Sequence, residues 1–254
     1  MYADNFSNQV AIITGAGQGI GFEIARQLCI NGASVILNDI DEQLAKSAAS
    51  KISEHANCIA LAGNAADAAF IQNMVDTAIK HFGQVTIAIA NAGITLFGDF
   101  FEYKAEALQK VISLNISGSF LLTQAAAKQM RRQNNGGSIL LMSSVTGHQA
   151  HKNLAAYGIT KAALEMLAKT LVIELSPFNI SINAIAPGAT VTERTSEDEN
   201  YVSTWSRITP MGKPATVEDI ANAALFMVSP ASRHVTGQSL IIDGGWTSVS
   251  PSPY

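Results

Sequence analysis

Seven short apolar runs alternate with helix-length segments from one end of this chain to the other, and no other feature restricts its fold so strongly. The runs are Val10–Thr14, Ser34–Asn38, Cys58–Ala62, Val85–Ala90, Ser138–Met142, Ser181–Ile185 and Ser239–Ile242. They are rich in β-branched residues and nearly continuous in apolar character, the pattern of strands buried on both faces of a parallel sheet. Between them the spacing predicts helices over Ile20–Asn31, Asp41–His55, Asp67–Phe82, Ala105–Gln133, Ala155–Pro177 and Val217–Ser229. Thr216, followed by Glu218 and Asp219, reads as the start of the last of these. Such alternation implies βαβ units with right-handed crossovers, hence a doubly wound α/β sheet. No repeat and no linker rich in Pro, Gly or Ser divides the chain, so one domain is expected. Only Thr192–Asn200 and the terminal Pro-Ser-Pro-Tyr lack a clear element.

Composition narrows the function. With 254 residues, 48% of them hydrophobic and 14% charged, the chain can bury a large core. A net charge of −4 argues against nucleic acid as a partner. No apolar run approaches the roughly 20 residues of a spanning helix, so no membrane is expected. The opening Met-Tyr-Ala-Asp-Asn-Phe lacks the basic start and apolar stretch of a secretory leader. Cys29 and Cys58 have no metal-type or CxxC spacing; packed free thiols in a reducing cytoplasm fit them, and no metal is expected.

The first strand runs into Thr14-Gly15-Ala16-Gly17-Gln18-Gly19-Ile20-Gly21, and a helix follows. Glycines in that place let the backbone approach a pyrophosphate, and the helix N-terminus supplies unpaired N–H groups and partial positive charge. The second strand ends in Asp39, 24 residues after Gly15. That is near the ~20-residue offset of a carboxylate that grips a ribose 2′-hydroxyl. Asp39 would repel the 2′-phosphate of NADP, and neither Gln18 nor Asn38 offers a cation to neutralise it. NAD is the expected cofactor.

Tyr157 and Lys161 are four residues apart, with Ser144 thirteen residues before the tyrosine. Positions i and i+4 share a helix face. A free phenol has a pKa of about 10, and a fixed positive charge beside it favours the phenolate. The pair could therefore exchange a proton with an alcohol or carbonyl while a serine hydroxyl holds the reacting oxygen.

With the glycine loop, Asp39, Asn91-Ala92-Gly93, Asn115, Ser144, Tyr157 and Lys161 in order, the chain resembles the short-chain dehydrogenase/reductase family. Pro187-Gly188, Val235-Thr236-Gly237-Gln238 and Asp243-Gly244-Gly245 extend the likeness, which covers Gln9 to Trp246. The resemblance implies a single Rossmann-type domain over residues 1–254 with a central seven-stranded parallel sheet. It makes Tyr157 the acid/base, Lys161 the holder of the nicotinamide ribose, Ser144 the substrate hydrogen bond and Asn115 the holder of a water behind Lys161. Asn115 is expected at a break in the long helix. Gly15, Gln18, Gly19, Ile20 and Gly21 would surround the pyrophosphate. Asn91, Ala92 and Gly93 would lie beneath the cofactor, Asn64 and Ala65 would meet its adenine, and Pro187, Gly188, Thr190 and Thr192 would cover the nicotinamide. Three positions depart from the family pattern: Asn64 replaces an Asp, Ala90 replaces the first of two Asn, and Thr190 replaces an aliphatic residue.

Of the neighbouring candidates, Ser143 is expected to pack or bond locally. His148 and His151 read as solvated loop residues in preference to substrate contacts, and His55, His81 and His234 as surface residues. Met142, Met166 and Met211 read as core or pocket filling. Residues 192–210 could form a lid, with Trp205 closing the cleft. Substrate residues are expected on Ile94–Phe101, Val145–Leu154 and Thr192–Arg207, which mix Phe97, Phe100 and Phe101 with Gln149, Glu193 and Arg194. The resemblance extends to dehydrogenases of glucose, gluconate and other polyols, and to 3-oxoacyl-carrier-protein reductases. Asp39 weakens the reductase reading, and the basic Lys128, Arg131 and Arg132 are distant in sequence from the expected mouth. A hydroxysteroid or other secondary alcohol is the further alternative, and a non-catalytic NAD-binding scaffold or sensor the remote one. By resemblance the two long helices and Leu240–Trp246 would join copies into a homotetramer.

Overall fold

A computed structural model describes residues 6–53 and 57–250. His55, the first five residues and the terminal Pro-Ser-Pro-Tyr lie outside them. Seven parallel strands form one sheet: β1 (Val10–Ile13), β2 (Ser34–Asp39), β3 (Cys58–Ala62), β4 (Ile87–Ala90), β5 (Gly137–Met142), β6 (Ile180–Pro187) and β7 (Ser239–Ile242). Their order is β3-β2-β1-β4-β5-β6-β7. The order reverses between β1 and β4, which leaves a crevice beyond their carboxyl ends, where such sheets bind ligands.

Adjacent strand residues point to opposite faces, and each face meets its own helices. Ile13 and Leu37 pack with Ile24 and Leu28 of α1 (Gly19–Ile30), Ala45 of α2 (Glu42–Ser53) and Leu225 of α8 (Val217–Val228). Ile12 and Ile36 pack with Met74 of α3 (Ala68–Phe82), Leu122 of α5 (Ser119–Gln133) and Leu164 of α6 (Ala155–Leu175). Burial on both faces holds for β1, β4, β5 and β6; β3 and β7, at the two edges of the sheet, are partly exposed. Val85 is buried but precedes β4, its N–H bound to Gln133 Oε1 at 2.9 Å.

Caps fix several helix starts. Asp67 accepts from Phe70 N–H, and Thr216 with Asp219 closes a reciprocal capping box on α8. The expected long helix Ala105–Gln133 is divided: α4 (Ala105–Ile112) passes through a π-helical turn (Ser113–Gly118) into α5. The stretch after Thr192 is not without elements. It forms a 3₁₀ turn at Thr195–Glu197 and the helix α7 (Tyr201–Ile208). Tyr201, Trp205 and Ile208 recur at i, i+4 and i+7, a signal hidden by the acidic residues before them.

Cys29 and Cys58, unremarkable in sequence, meet in the core. The hydrogen bond between them, with burial, holds the Cys29 thiol far above the ordinary thiol range. Met142 is buried, but Met166 and Met211 are 61% and 69% exposed and fill no core. No helix among the described residues is long and apolar enough to cross a membrane.

Candidate active site

The glycine loop takes its shape from close backbone approach. Gly15 has φ +62°, and a Cβ there would lie 2.8 Å from Ala92 Cα. A Cβ on Gly21 would meet Asn91 Nδ2 and Gly15 O at 2.5 Å. Asn91 in turn donates to Thr14 O at 2.9 Å and Gly15 O at 2.7 Å, so the β4 end clamps the loop. Thr14 Oγ1 accepts from the N–H groups of Asn91 and Ala92, each at 3.2 Å. The helix that follows starts at Gly19 with no side-chain cap and no acidic residue in its first turn. Its N–H donors and positive end are therefore open to an anion, which is what a dinucleotide pyrophosphate needs.

At the end of β2, Asp39 Oδ2 accepts from Gly17 N–H at 3.0 Å, and Oδ1 from Asp41 N–H at 3.2 Å. Asn38 is buried and donates to Asp39 O, Leu61 O and Gly63 O, so it braces β2 against β3. Asn64 Oδ1 accepts from Ala66 N–H at 2.9 Å, which sets the flip of its amide. Ala65 beside it is buried.

The other half of the site stands on α6. Lys161 is 3% exposed; its Nζ donates to Met142 O at 2.7 Å and lies 5.3 Å from the centre of the Tyr157 ring. Asn115, wholly buried in the π turn, accepts from Ile94 N–H at 2.9 Å and donates to Ile94 O and to Thr160 Oγ1. A Cβ on Gly93 would fall 3.2 Å from Asn115 Oδ1 and 3.4 Å from Lys161 Nζ, so this glycine leaves room for both. Ser144 begins the turn after β5, where its Oγ accepts from Thr146 N–H at 3.3 Å.

One cleft of about 300 Å³ joins the two halves. Gln18, Gly19, Ile20 and Gly21 line one end, and Ser144, Tyr157 and Lys161 line the other. Asn91, Gly93, Pro187, Gly188, Thr190 and Thr192 lie between them. Gly15, Asp39, Asn64, Ala65, Ala92 and Asn115 are outside its lining. The cleft also takes in Thr95, Met142, Ser143, Glu193, Arg194, Thr195 and Tyr201. Thr192 and Glu193 approach to 3.7 Å of the point a Gly19 Cβ would occupy, so the segment after β6 closes over the helix end.

Several side chains differ from expectation. Of the two histidines of the Ser144 loop, His148 is exposed as expected, although its Nε2 lies 2.8 Å from Glu165 Oε1, whereas His151 is half-buried and stacks on Trp246 at 5.0 Å between centroids. Burial holds His151 below the ordinary histidine pKa. Trp205 packs edge-on against Trp246, and Tyr201 rather than Trp205 reaches the cleft. The phenol oxygen of Tyr201 accepts from Thr190 N–H at 3.1 Å, so this backbone donor already has a partner. Ser143 packs as expected: it is buried and donates to Glu165 Oε1 at 2.6 Å. Glu165 escaped sequence reasoning, although an acid eight residues after Tyr157 on the same stripe of an apolar helix was the signal.

A family profile described as enoyl-(acyl carrier protein) reductase matches residues 15–247. L-rhamnose 1-dehydrogenase (NAD(P)(+)) of Azotobacter vinelandii is 32% identical, over 94% of this chain and 96% of its own. 3alpha-hydroxysteroid dehydrogenase of Mediterraneibacter gnavus is 35% identical, over 93% and 96%. A gluconate 5-dehydrogenase from Burkholderia cenocepacia, solved in complex with NADP and tartrate, is 30% identical over 97% of this chain and 99% of its own, with a TM-score of 0.89. The chain belongs to the short-chain dehydrogenase/reductase family, oxidoreductases that act on alcohol and carbonyl groups with a nicotinamide cofactor.

Proposed function

We propose that this protein is an NAD-dependent dehydrogenase of a secondary alcohol on a sugar or polyol, such as glucose or gluconate. The observation that carries the reading is the placement of Ser144, Tyr157 and Lys161 on the wall of one cleft whose far end is the uncapped start of α1. Gln18 to Gly21 would hold the pyrophosphate, Asp39 the adenosine ribose, Asn64 and Ala65 the adenine, and Pro187, Gly188, Thr190 and Thr192 the nicotinamide. When bound, the nicotinamide supplies an acceptor for the hydride that the alcohol carbon releases. Tyr157 takes the hydroxyl proton, Ser144 holds the oxygen, and Lys161 supplies a positive charge fixed by Met142 O. General acid/base help of this kind contributes roughly 10²–10⁴-fold. Asn115 acts behind Lys161.

A sugar or polyol is favoured by the hydrogen-bonding groups beyond the catalytic ones, Thr95, Glu193, Arg194 and Thr195. The rhamnose and gluconate relatives agree with it. A hydroxysteroid or other apolar alcohol is the second reading, favoured by Phe97, Phe100 and Phe101, all more than 70% exposed on the loop that leads from Thr95. NAD over NADP rests on Asp39, since the relatives include users of both. Residues 192–210 serve as the substrate lid of a single domain. Phe120, Met166 and Ile173 on α5 and α6, with Leu240 and Ile241 on β7, leave apolar surface for further copies. Light scattering is expected to give a homotetramer, about four times 26.8 kDa; a monomer would refute that.

Reduced-cofactor absorbance across sugars, polyols, steroids and 3-oxoacyl thioesters tests the substrate class. Tyr157→Phe is expected to abolish turnover while NADH still binds. Near-native turnover in that variant would remove Tyr157 as the base.

A further inference from the structure

We infer that Glu165 is a positioning residue for Ser144, pinning both ends of its turn to the helix of Tyr157 and Lys161; this rests on the dehydrogenase reading of the cleft. Glu165 is one helical turn beyond Lys161 and two beyond Tyr157, and it is 9% exposed. Its Oε1 accepts from Ser143 Oγ at 2.6 Å and lies 2.8 Å from His148 Nε2. Ser143 immediately precedes Ser144, and His148 follows it by four residues. One carboxylate oxygen thus holds the chain on both sides of the catalytic serine.

The turn between those two ties is closed on itself. Gly147 N–H donates to Ser144 O, and the N–H groups of His148 and Gln149 donate to Val145 O, each at 2.9 Å. A Cβ on Gly147 would come within 3.0 Å of both Glu165 Oε1 and Ala162 N, so the turn lies directly on α6. Ser143 Oγ is also 3.0 Å from Lys161 O, which links the clamp to the backbone of the lysine. His148 has one further polar neighbour, Ser239 Oγ of β7, at 3.5 Å.

Burying a carboxylate is costly unless donors satisfy it, and even then the net gain to the fold is small. Stability is therefore a poor reason for Glu165 to stand here. Geometry is a better one: a catalytic group displaced by about 1 Å loses on the order of 10²-fold in rate. The ties of Ser143 and His148 to one helix remove that freedom from Ser144.

The test uses D-gluconate and NAD as the probe pair, with Glu165→Leu, Glu165→Gln, Ser144→Ala and the Ser144→Ala/Glu165→Leu double variant. Glu165→Leu is expected to lower kcat by about 10- to 100-fold with the NADH Kd within about twofold of wild type. Glu165→Gln, whose amide oxygen still accepts from Ser143, should stay within about threefold. In the Ser144→Ala background, Glu165→Leu should cost less than about threefold more, because the two act through one group. Full additivity of the two losses would overturn the inference. Hydrogen exchange gives an arm that needs no substrate. The amides of Gly147, His148 and Gln149 should exchange at least about tenfold faster in Glu165→Leu, with β5 unchanged. Unchanged exchange in the turn would overturn the clamp, whatever the enzyme oxidises. If the wild type leaves D-gluconate untouched, the sugar reading fails and exchange alone decides. If Glu165→Leu does not fold, His148→Ala removes one of the two ties and carries the same expectations.

Discussion

Asp39→Asn removes one negative charge from the end of β2 while keeping an oxygen to accept the Gly17 N–H, now 3.0 Å from Oδ2. The loop conformation is thereby retained, which an alanine would not ensure. Two unit charges 4 Å apart interact by about 1 kcal/mol in bulk water and about 4 kcal/mol at an effective dielectric of 20. Asp39 is half-buried, so its repulsion of a 2′-phosphate lies between those limits, at about 2–4 kcal/mol once the phosphate's charge of roughly −1.5 to −2 is counted. At 1.4 kcal/mol per factor of ten, the wild type should bind NADPH about 30- to 1,000-fold more weakly than NADH. In the Asn variant that gap should close to below about tenfold. Part of the change would come from NADH, whose ribose hydroxyls lose a charged acceptor worth about 1.5–3 kcal/mol. The assay is fluorescence titration with each reduced cofactor, which requires no substrate. Raising the salt should narrow the wild-type gap and leave that of the variant nearly alone. Equal affinity of the wild type for both cofactors, or an unchanged ratio in Asp39→Asn, would refute the reasoning.

Two further outcomes are expected from single hydrogen-bonded groups. Tyr201→Phe releases Thr190 N–H, and if that donor serves the nicotinamide, removing a competing bond of about 0.5–1.5 kcal/mol should tighten NADH binding by roughly 2- to 12-fold. Weaker binding would show that Tyr201 itself supports the cofactor. Asp243 accepts from Gly245 N–H, Thr247 N–H and Thr247 Oγ at 2.6–2.8 Å. Burial pushes its carboxyl up, but the Thr247 hydroxyl and the N–H groups of Thr247, Gly245 and Trp246 outweigh it and hold the group below the ordinary carboxylate range. A depressed folded pKa gives stability above the unfolded value of about 3.9, lost as pH falls through the folded value. Asp243→Asn should lower Tm at pH 7 by about 2–4 °C, for a loss of roughly 1 kcal/mol after solvent screening. The difference from wild type should shrink below about pH 4; a difference that widened in acid would contradict the sign.

The sheet was legible because its strands are buried on both faces and its glycine loop falls between β1 and α1. Both are properties of adjacent residues. The failures have a common physical origin in long-range partners. Helix spacing could single out Glu165, but nothing local signals that its partner is His148, that His151 finds Trp246, or that Tyr201 reaches Thr190. Each pair joins residues from different elements, 11 to 95 positions apart in the chain. The helix α7 was missed because the acidic Glu197, Asp198 and Glu199 dominate the pattern, although Asp198 marks the start of the helix by accepting from Asn200 N–H. Met166 and Met211 misled in the opposite direction, since an apolar side chain in a helix or loop does not say which way it faces.

The break at Asn115 illustrates how a local irregularity serves the site. In an unbroken helix each residue turns the next by about 100°, so side-chain directions are fixed by register alone. The π turn at Ser113–Gly118 shifts that register inside one continuous helical path. Gly118 lets the turn lie against the backbone after β3, because a Cβ there would stand 2.6 Å from Ala65 O. The shifted turn carries Asn115, wholly buried, where it bonds both polar groups of the Ile94 backbone and Thr160 Oγ1. Thr160 in turn donates to Tyr157 O at 2.7 Å. A chain of hydrogen bonds therefore runs from the loop after β4, through the helix break, to the backbone of the proposed base. Lys161 stands against the same group across Gly93. A regular helix would satisfy its own backbone better, yet it would aim Asn115 elsewhere and leave Ile94 and Thr160 without their shared partner. The irregular turn thus ties the loop after β4 to α6, the helix that carries Tyr157 and Lys161.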